Sequence, residues 1–172
     1  FYMGGIGRLN DAVGGVTVSV LDDYPFTDVP NGWNMYPGQD VTLTGRQARL
    51  YIQARRGDAT GNEDRMKRQK QYMLALISQA KDRVAASPAS VVPLYNAVSD
   101  YVLTDLDLGK LSYLATQAAG MSFSGDMLRV TGDAVLGQGN RVELTVDQEA
   151  LYDLILDVFY EEIPAPTDTA GE

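Results

Sequence analysis

The stretch YIQARRGDATGNEDRMKRQKQYM, residues 51–73, joins two predicted helices through a glycine-containing turn. Between Gln53 and Lys70 it holds six basic and three acidic side chains, although the 172-residue chain has a net charge of −9. The basic residues are Arg55, Arg56, Arg65, Lys67, Arg68 and Lys70. Since the chain as a whole is acidic, it is not expected to bind nucleic acid, and an anion site has to be local to this turn.

The composition excludes several classes of active site. The chain has neither cysteine nor histidine, so it cannot form disulfide bridges, Cys/His zinc sites, thiol nucleophiles or a triad with an imidazole base. Apolar residues make up 45% and charged residues 22%, which is typical of a globular domain rather than a disordered chain. No apolar run is long enough to span a membrane.

Hydrophobic patterning predicts an α/β fold in which a mixed β-sheet is flanked by helices. The predicted strands are VTVSV at 16–20, VTL at 41–43, and the segments 121–125, 127–132 and 141–146. The predicted helices are a short one before Gly14 and Gly15, one from Thr44 to about Ala54, one from Asn62 to about Ala86, one from Ser87 to about Val102, one over 106–120 and one after Asp147. We expect one domain over residues 1–163 and a disordered tail over 164–172.

The long central helix carries the candidate site. With Asn62 as its N-cap, Arg65, Arg68 and Gln69 lie on one arc near the helix start, and Arg55 approaches from the preceding helix. The residues alone leave two interpretations open. Guanidinium groups at the positive end of a helix suit a phosphate or pyrophosphate. Alternatively, the arc is a solvated face whose basic side chains pair with neighbouring carboxylates.

An apolar stripe runs beside that arc. Met66, Met73 and Ile77 recur on one side of the helix at about 100° per residue. Such a stripe either packs against the sheet or forms one wall of a groove for an apolar tail. In the second case these three side chains are the candidate lipid-binding residues.

Several blocks, taken in order, resemble the second half of the LytR-CpsA-Psr domain. They are LNDAVGGVTVSV (9–20), VTLTGRQARLYIQAR (41–55) and GDATGNEDRMKRQKQYM (57–73), and the last helix, DQEALYDLILDVFYEEI (147–163), is similar to the closing segment of many members. The order of the blocks is specific, although no single block is. The resemblance implies a LytR-CpsA-Psr-like domain that lacks its N-terminal portion.

The resemblance also implies a function. Members of this family are extracytoplasmic, cell-envelope enzymes with an N-terminal membrane anchor, which is absent from this chain. They transfer a glycopolymer, such as teichoic acid or capsular polysaccharide, from a polyprenyl pyrophosphate carrier to peptidoglycan. By resemblance we expect a phosphotransferase that uses Mg²⁺, with the metal ligands outside this chain. The apolar surface left uncovered by the absent portion favours a homodimer.

The resemblance assigns roles to individual residues. Arg65 and Gln69 match the arginine and glutamine of the family's R-x-x-R-Q motif that contact the pyrophosphate, Arg68 is the second arginine of that motif, and Arg55 closes the preceding helix. The expected catalytic residues are Arg55, Arg65 and Gln69, and the expected phosphate-binding set adds Arg68 and Asn62. Many members have an aspartate where this chain has Asn62, and an amide cannot act as a general base.

Two other functions are alternatives to the phosphotransferase. One is a non-catalytic envelope module that binds polyprenyl phosphate or polysaccharide and lacks the catalytic groups. The other is a transcriptional attenuator, an older label of the family. An isoelectric point of about 4.4 and the absence of a DNA-reading motif argue against the attenuator.

Overall fold

A computed structural model describes residues 2–21, 34–54, 61–122, 128, 130–137, 142–161 and 163. The chain divides into two compact units, Phe1–Gly125 and Asp126–Glu172. The predicted tail over 164–172 lies outside the described residues, as does Arg55. In the described part of the chain, no helix combines the length and apolar character needed to cross a membrane.

In its described residues the first unit is mostly helical and contains one small sheet. Its elements are α1 (Gly4–Ala12), β1 (Val16–Ser19), β2 (Asp40–Leu43), α2 (Gly45–Gln53), α3 (Gly61–Ala86), α4 (Val91–Val98) and α5 (Leu108–Ala119). β1 and β2 pair antiparallel, with Val16 opposite Leu43. The helix predicted after Ser87 is a short α-helix between two 3₁₀ turns. Pro93 has no N–H to donate to the preceding turn, which limits regular α-helical bonding there.

The second unit is a β-hairpin followed by a helix. β3 (Gly132–Leu136) and β4 (Val142–Val146) pair antiparallel, and α6 (Gln148–Phe159) follows. Of the strand predicted at 127–132, Gly132 belongs to β3, whereas Leu128, Val130 and Thr131 are in no strand and the other two residues lie outside the described part of the chain. The strand predicted at 121–125 lies mostly outside the described residues. Asp147 caps α6 as predicted, since its carboxylate accepts from the N–H groups of Glu149 and Ala150, each at 3.1 Å.

The core of the first unit lies where the small sheet meets α2 and α3. Its buried side chains include Val16, Val18, Val20, Leu43, Ala48, Tyr51, Ile52 and Tyr72. Along β1 the valines are buried and Thr17 and Ser19 are exposed, the alternation that predicted this strand. The predicted α/β class is confirmed, and both described strand pairs are antiparallel.

A glycine contact fixes the crossing of α1 and α2. A Cβ atom on Gly45 would lie 2.4 Å from the carbonyl oxygen of Gly7, so no larger residue fits at that position without a shift. Asp11 Oδ1 accepts from the N–H of Gly45 at 2.7 Å. Thr44 caps α2 as predicted, in a capping box with Gln47. The start of α2 is therefore held both by its own cap and by a carboxylate from α1.

A buried asparagine ties α1 to the sheet and to α3. Asn10 Nδ2 donates to the carbonyl oxygen of Leu43 at 2.7 Å, and its Oδ1 accepts from the N–H of Val16 at 3.3 Å and from the hydroxyl of Tyr72 at 3.1 Å. Burial, and secondly the charge of Asp11, raise the pKa of Tyr72 well above its usual value. The phenol therefore stays a neutral donor, and the network holds α3 in place.

Candidate anion-binding site

The site begins at the first turn of α3, which starts one residue earlier than predicted. Gly61 is already helical, so Asn62 lies inside the first turn and the prediction that it is the N-cap is wrong. Its side chain instead accepts a hydrogen bond from Arg65, with 2.6 Å between Arg65 Nη2 and Asn62 Oδ1. Asn62 therefore orients a guanidinium group rather than capping the backbone.

The charge of Arg65 is not neutralised by its acidic neighbours. The carboxylates of Glu63 and Asp64 both pair with Lys67, at 3.6 and 3.5 Å from its Nζ, and these pairs, chiefly with Glu63, raise the pKa of Lys67. Within the described part of the chain, the one side-chain hydrogen bond of Arg65 goes to the neutral amide of Asn62. The alternative interpretation, a solvated face on which each basic side chain pairs with a carboxylate, therefore does not hold for Arg65.

Arg65 also has an unused donor. Its Nε is buried and has no hydrogen-bond partner among the described residues. Leaving a buried donor unsatisfied costs about 1–3 kcal/mol, and such a group in a native structure calls for an explanation. An oxyanion seated against the guanidinium would satisfy this donor and benefit from the positive end of α3.

Arg68 lies elsewhere than predicted. It is fully buried; its Nε donates to the carbonyl oxygen of Tyr51 at 3.1 Å and its Nη2 donates to that of Ala54. The last carbonyl groups of a helix have no partners within it, so the guanidinium satisfies the end of α2 and offsets its dipole. Arg65, Arg68 and Gln69 still lie on one arc of α3, but the guanidinium of Arg68 is buried against the end of α2. A contact of Arg68 with phosphate stays a prediction.

Gln69 links the end of α2 to an apolar cavity. Its Nε2 donates to the carbonyl oxygen of Ile52 at 3.0 Å. The cavity has a volume of about 340 Å³ and lies among α1, α2 and α3; its walls include Ile6, Leu9, Ile52, Gln69, Met73 and Leu76. The hydrophobic pattern of the sequence did not indicate that residues of α1 and α2 line this cavity. The spacing of three residues between Ile6 and Leu9 gives α1 an apolar side, which was the available signal.

The cavity and the charged end share one side of α3. Arg65, Gln69, Met73 and Leu76 are separated by four, four and three residues, so they follow one another along the same side of the helix. About 16 Å of helix axis lies between the first and the last of them. This arrangement suits an amphiphile with an anionic head and an apolar tail.

The three predicted lipid contacts do not share one place. Met73, 51% exposed, lines the cavity beside Gln69. Ile77 lines a different cavity of about 280 Å³ between α3, α4 and α5. Met66, 40% exposed, lines neither of these two cavities. Their predicted role in lipid binding stays a prediction, and the geometry favours Met73 for it.

The described residues around Arg65 do not fit a magnesium site. Mg²⁺ prefers oxygen ligands in near-octahedral geometry. Asn62 Oδ1 is engaged by Arg65, and the carboxylates of Glu63 and Asp64 pair with Lys67. No group of three or more acidic residues suited to a metal ion occurs in the ranges that the structure describes. The use of Mg²⁺ stays a prediction with its ligands expected elsewhere, and so does the role of Arg55.

Comparison with known proteins relates the chain to a family. The LytR_cpsA_psr family model matches residues 1–154. The polyisoprenyl-teichoic acid–peptidoglycan teichoic acid transferase TagU of Oceanobacillus iheyensis is 31% identical over 139 residues, which are 81% of this chain and 41% of that protein. The cell wall biosynthesis protein LcpA of Corynebacterium glutamicum is 30% identical over 168 residues, 95% of this chain and 32% of that protein. The chain thus spans less than half the length of these relatives.

A solved structure agrees on the fold. The crystal structure of Bacillus subtilis TagV superposes with a TM-score of 0.67 at 24% identity, over 93% of this chain and 63% of that chain. Together with the family match, this likeness confirms both the predicted family and the predicted fold class.

Proposed function

The chain belongs to the LytR-CpsA-Psr family, and from that premise we propose that it is part of a cell-envelope phosphotransferase that moves a glycopolymer from polyprenyl pyrophosphate to peptidoglycan. The observation that carries the proposal is Arg65, whose charge is held by a neutral amide and whose buried Nε has no partner among the described residues. Relatives named for teichoic acid transfer and cell wall biosynthesis support the same class of reaction.

The head group of the substrate would bind at Arg65. A guanidinium group offers two parallel N–H donors to a phosphate and keeps its charge at any relevant pH. Hydrogen bonds that involve a charged group contribute about 1.5–3 kcal/mol. The N–H groups and the dipole at the start of α3 add to the same attraction.

The lipid tail would enter the cavity among α1, α2 and α3. Burial of each methylene group contributes about 0.8 kcal/mol, so the first isoprene units against Leu9, Met73 and Leu76 add to the affinity for the head group. This contribution distinguishes a lipid-linked pyrophosphate from free pyrophosphate. It also gives the substrate a direction along α3, which places the phosphorus atoms reproducibly at Arg65.

In the transfer step, a hydroxyl group of peptidoglycan attacks the phosphorus that carries the glycopolymer. The new P–O bond forms a phosphodiester, the P–O bond to the bridging oxygen breaks, and polyprenyl phosphate leaves, while the proton of the hydroxyl passes to the leaving phosphate or to water. Arg65 would offset the negative charge that grows on the leaving phosphate. Gln69 would hold the end of α2 near Arg65 through the hydrogen bond that it donates to the carbonyl oxygen of Ile52. Asn62 cannot take the hydroxyl proton, because an amide is not a base.

The cellular setting follows from the same proposal. Peptidoglycan and its glycopolymers lie outside the cytoplasmic membrane, so we place the protein at the cell envelope, on the extracytoplasmic side. An N-terminal membrane anchor and a homodimer stay predictions of the family resemblance.

Calorimetric titration tests the binding part of the proposal. We expect the chain to bind farnesyl pyrophosphate at least about tenfold more tightly than either farnesol or inorganic pyrophosphate, a difference of about 1.4 kcal/mol. Equal affinities for the three compounds would contradict a site with both a head-group and a tail contact. Transfer is tested by incubating the protein with a lipid-linked glycan and a peptidoglycan oligosaccharide, and by looking for the phosphodiester product.

A non-catalytic binding module is the alternative, and one observation favours it. The residue beside Arg65 is an amide, and the nearby carboxylates of Glu63 and Asp64 are paired with Lys67. The alternative predicts binding of farnesyl pyrophosphate without any transfer product, even when Mg²⁺ and the acceptor are in excess.

A further inference from the structure

We propose that Asn62 is a positioning residue that allows this site to bind a pyrophosphate without a metal ion. The inference rests on the proposed function, because it concerns the same head-group site. It separates binding from transfer, for which Mg²⁺ stays a prediction. The observation behind it is the 2.6 Å contact between Asn62 Oδ1 and Arg65 Nη2.

The amide holds the guanidinium group without cancelling its charge. A neutral oxygen that accepts one N–H fixes the direction of the side chain and leaves its positive charge uncancelled, and the buried Nε has no hydrogen-bond partner among the described residues. A carboxylate at position 62 would form a charge-assisted pair with the same guanidinium. The contact is exposed to solvent, yet a carboxylate there would still place a negative charge next to a bound anion. A pyrophosphate would then face a neutral pair, and a divalent cation would be needed to attract it.

The acidic residues of the first turn are compensated from the other side of the helix. Lys67 pairs with Glu63 and with Asp64, whose side chain is only 10% exposed. At about 100° per residue, Lys67 lies about 200° around α3 from Arg65. It therefore compensates the two carboxylates and does not reach the same ligand. Among the described residues, the charges around Arg65 thus favour direct contact with an anion.

The test compares Asn62→Asp, which keeps the shape of the side chain, with the wild-type protein. Binding of farnesyl pyrophosphate is measured by calorimetry, once with excess MgCl₂ and once with excess EDTA. We expect the wild-type dissociation constant to differ by less than about threefold between the two conditions. The Asp variant is expected to bind about tenfold more weakly in EDTA and to regain affinity with Mg²⁺.

Asn62→Ala is the second variant. It removes the positioning contact without adding a charge, so we expect weaker binding by a similar factor with and without Mg²⁺. Loss of wild-type binding in EDTA, or an Asp variant that binds like the wild type in EDTA, would overturn the inference. Should the Asp variant not fold, the wild-type pair of titrations decides alone. Absence of wild-type binding in both conditions would instead contradict the proposed function.

Discussion

Arg68 Nε lies 3.1 Å from the carbonyl oxygen of Tyr51, so an arginine of the central helix closes the C-terminal end of the helix before it. Its Nη2 donates to Ala54, and Gln69 Nε2 donates to Ile52 from the next position of α3. Two consecutive residues of α3 thus donate to three carbonyl groups at the C-terminal end of α2, including that of its C-cap residue Ala54. These three hydrogen bonds, here called the α2–α3 joint, hold together the two helices that flank the candidate anion site.

Replacement of Arg68 tests this joint. Arg68→Met keeps an apolar stem and removes the hydrogen bonds that the guanidinium donates to the buried carbonyl groups of Tyr51 and Ala54. We expect the free energy of unfolding to fall by about 3 kcal/mol, measured by urea denaturation. Arg49→Met, on the exposed side of α2, is the matched control and should change stability by less than about 0.5 kcal/mol. Equal effects of the two substitutions would refute the structural role of Arg68.

The crossing of α1 and α2 predicts a sensitive glycine. In Gly45→Ala the new methyl group would lie 2.4 Å from the carbonyl oxygen of Gly7, so the helices must move apart. We expect a loss of about 2 kcal/mol of stability. Gly120→Ala is the control, because the nearest atom to its Cβ is 3.7 Å away and its φ is −83°. Thermal melting of both variants would settle the point, and an unchanged melting temperature for Gly45→Ala would contradict the close contact.

Tyr72 predicts a stability loss in alkaline solution. Its pKa is raised by burial in the folded chain, whereas an unfolded tyrosine ionises at about pH 10. The folded state therefore keeps its full stability below about pH 10, and this contribution is lost as the pH rises further, by at most about 1.4 kcal/mol per pH unit. Tyr72→Phe should flatten this decline.

The same substitution has an effect at neutral pH. Tyr72→Phe removes the hydrogen bond to Asn10 and should cost about 1 kcal/mol. Tyr113→Phe, at a side chain 65% exposed, should change neither the stability at neutral pH nor the alkaline slope. Urea denaturation of the three proteins at neutral and alkaline pH provides the measurement, and identical slopes would rule out the special role of Tyr72.

Substitution of two methionines of α3 distinguishes a specific contact with the lipid tail from a general effect of changing an exposed apolar residue. Met73 lines the cavity beside Gln69, whereas Met66 lines neither of the two helical cavities. We expect Met73→Ala to weaken the binding of farnesyl pyrophosphate about fivefold to tenfold, because about 1 kcal/mol of apolar contact is lost. Met66→Ala should leave the affinity unchanged, and neither substitution should alter the affinity for inorganic pyrophosphate. A larger effect at Met66 would place the tail elsewhere.

The features predicted best from the sequence are those that depend on residues close together in the chain. The alternation of VTVSV, the cap at Thr44 and the cap at Asp147 each depend on a few adjacent positions. The orientation of Arg68 could not be predicted in this way. Its partners lie 14 and 17 residues away, and apolar periodicity treats an arginine as a surface residue.

The candidate site was predicted in part for the same reason. The charge cluster and the first turn of α3 indicated an anion site, and the structure leaves Arg65 suited to that role. The pairing of Glu63 and Asp64 with Lys67 rather than Arg65 depends on side-chain directions that spacing alone does not fix. The cavity beside Gln69 is lined in part by Ile6 and Leu9. These residues lie about 60 positions earlier in the chain and contact α3 only in the folded protein, so the sequence of α3 alone could not reveal the cavity.

The affinity of Arg65→Ala for farnesyl pyrophosphate is the most direct test of the account, measured by calorimetry beside Arg49→Ala. We expect Arg65→Ala to weaken binding by at least about tenfold, since charged hydrogen bonds contribute about 1.5–3 kcal/mol, and to keep the wild-type melting temperature. Arg49→Ala should bind like the wild type. Wild-type affinity in Arg65→Ala would contradict the proposal that the start of α3 holds the pyrophosphate.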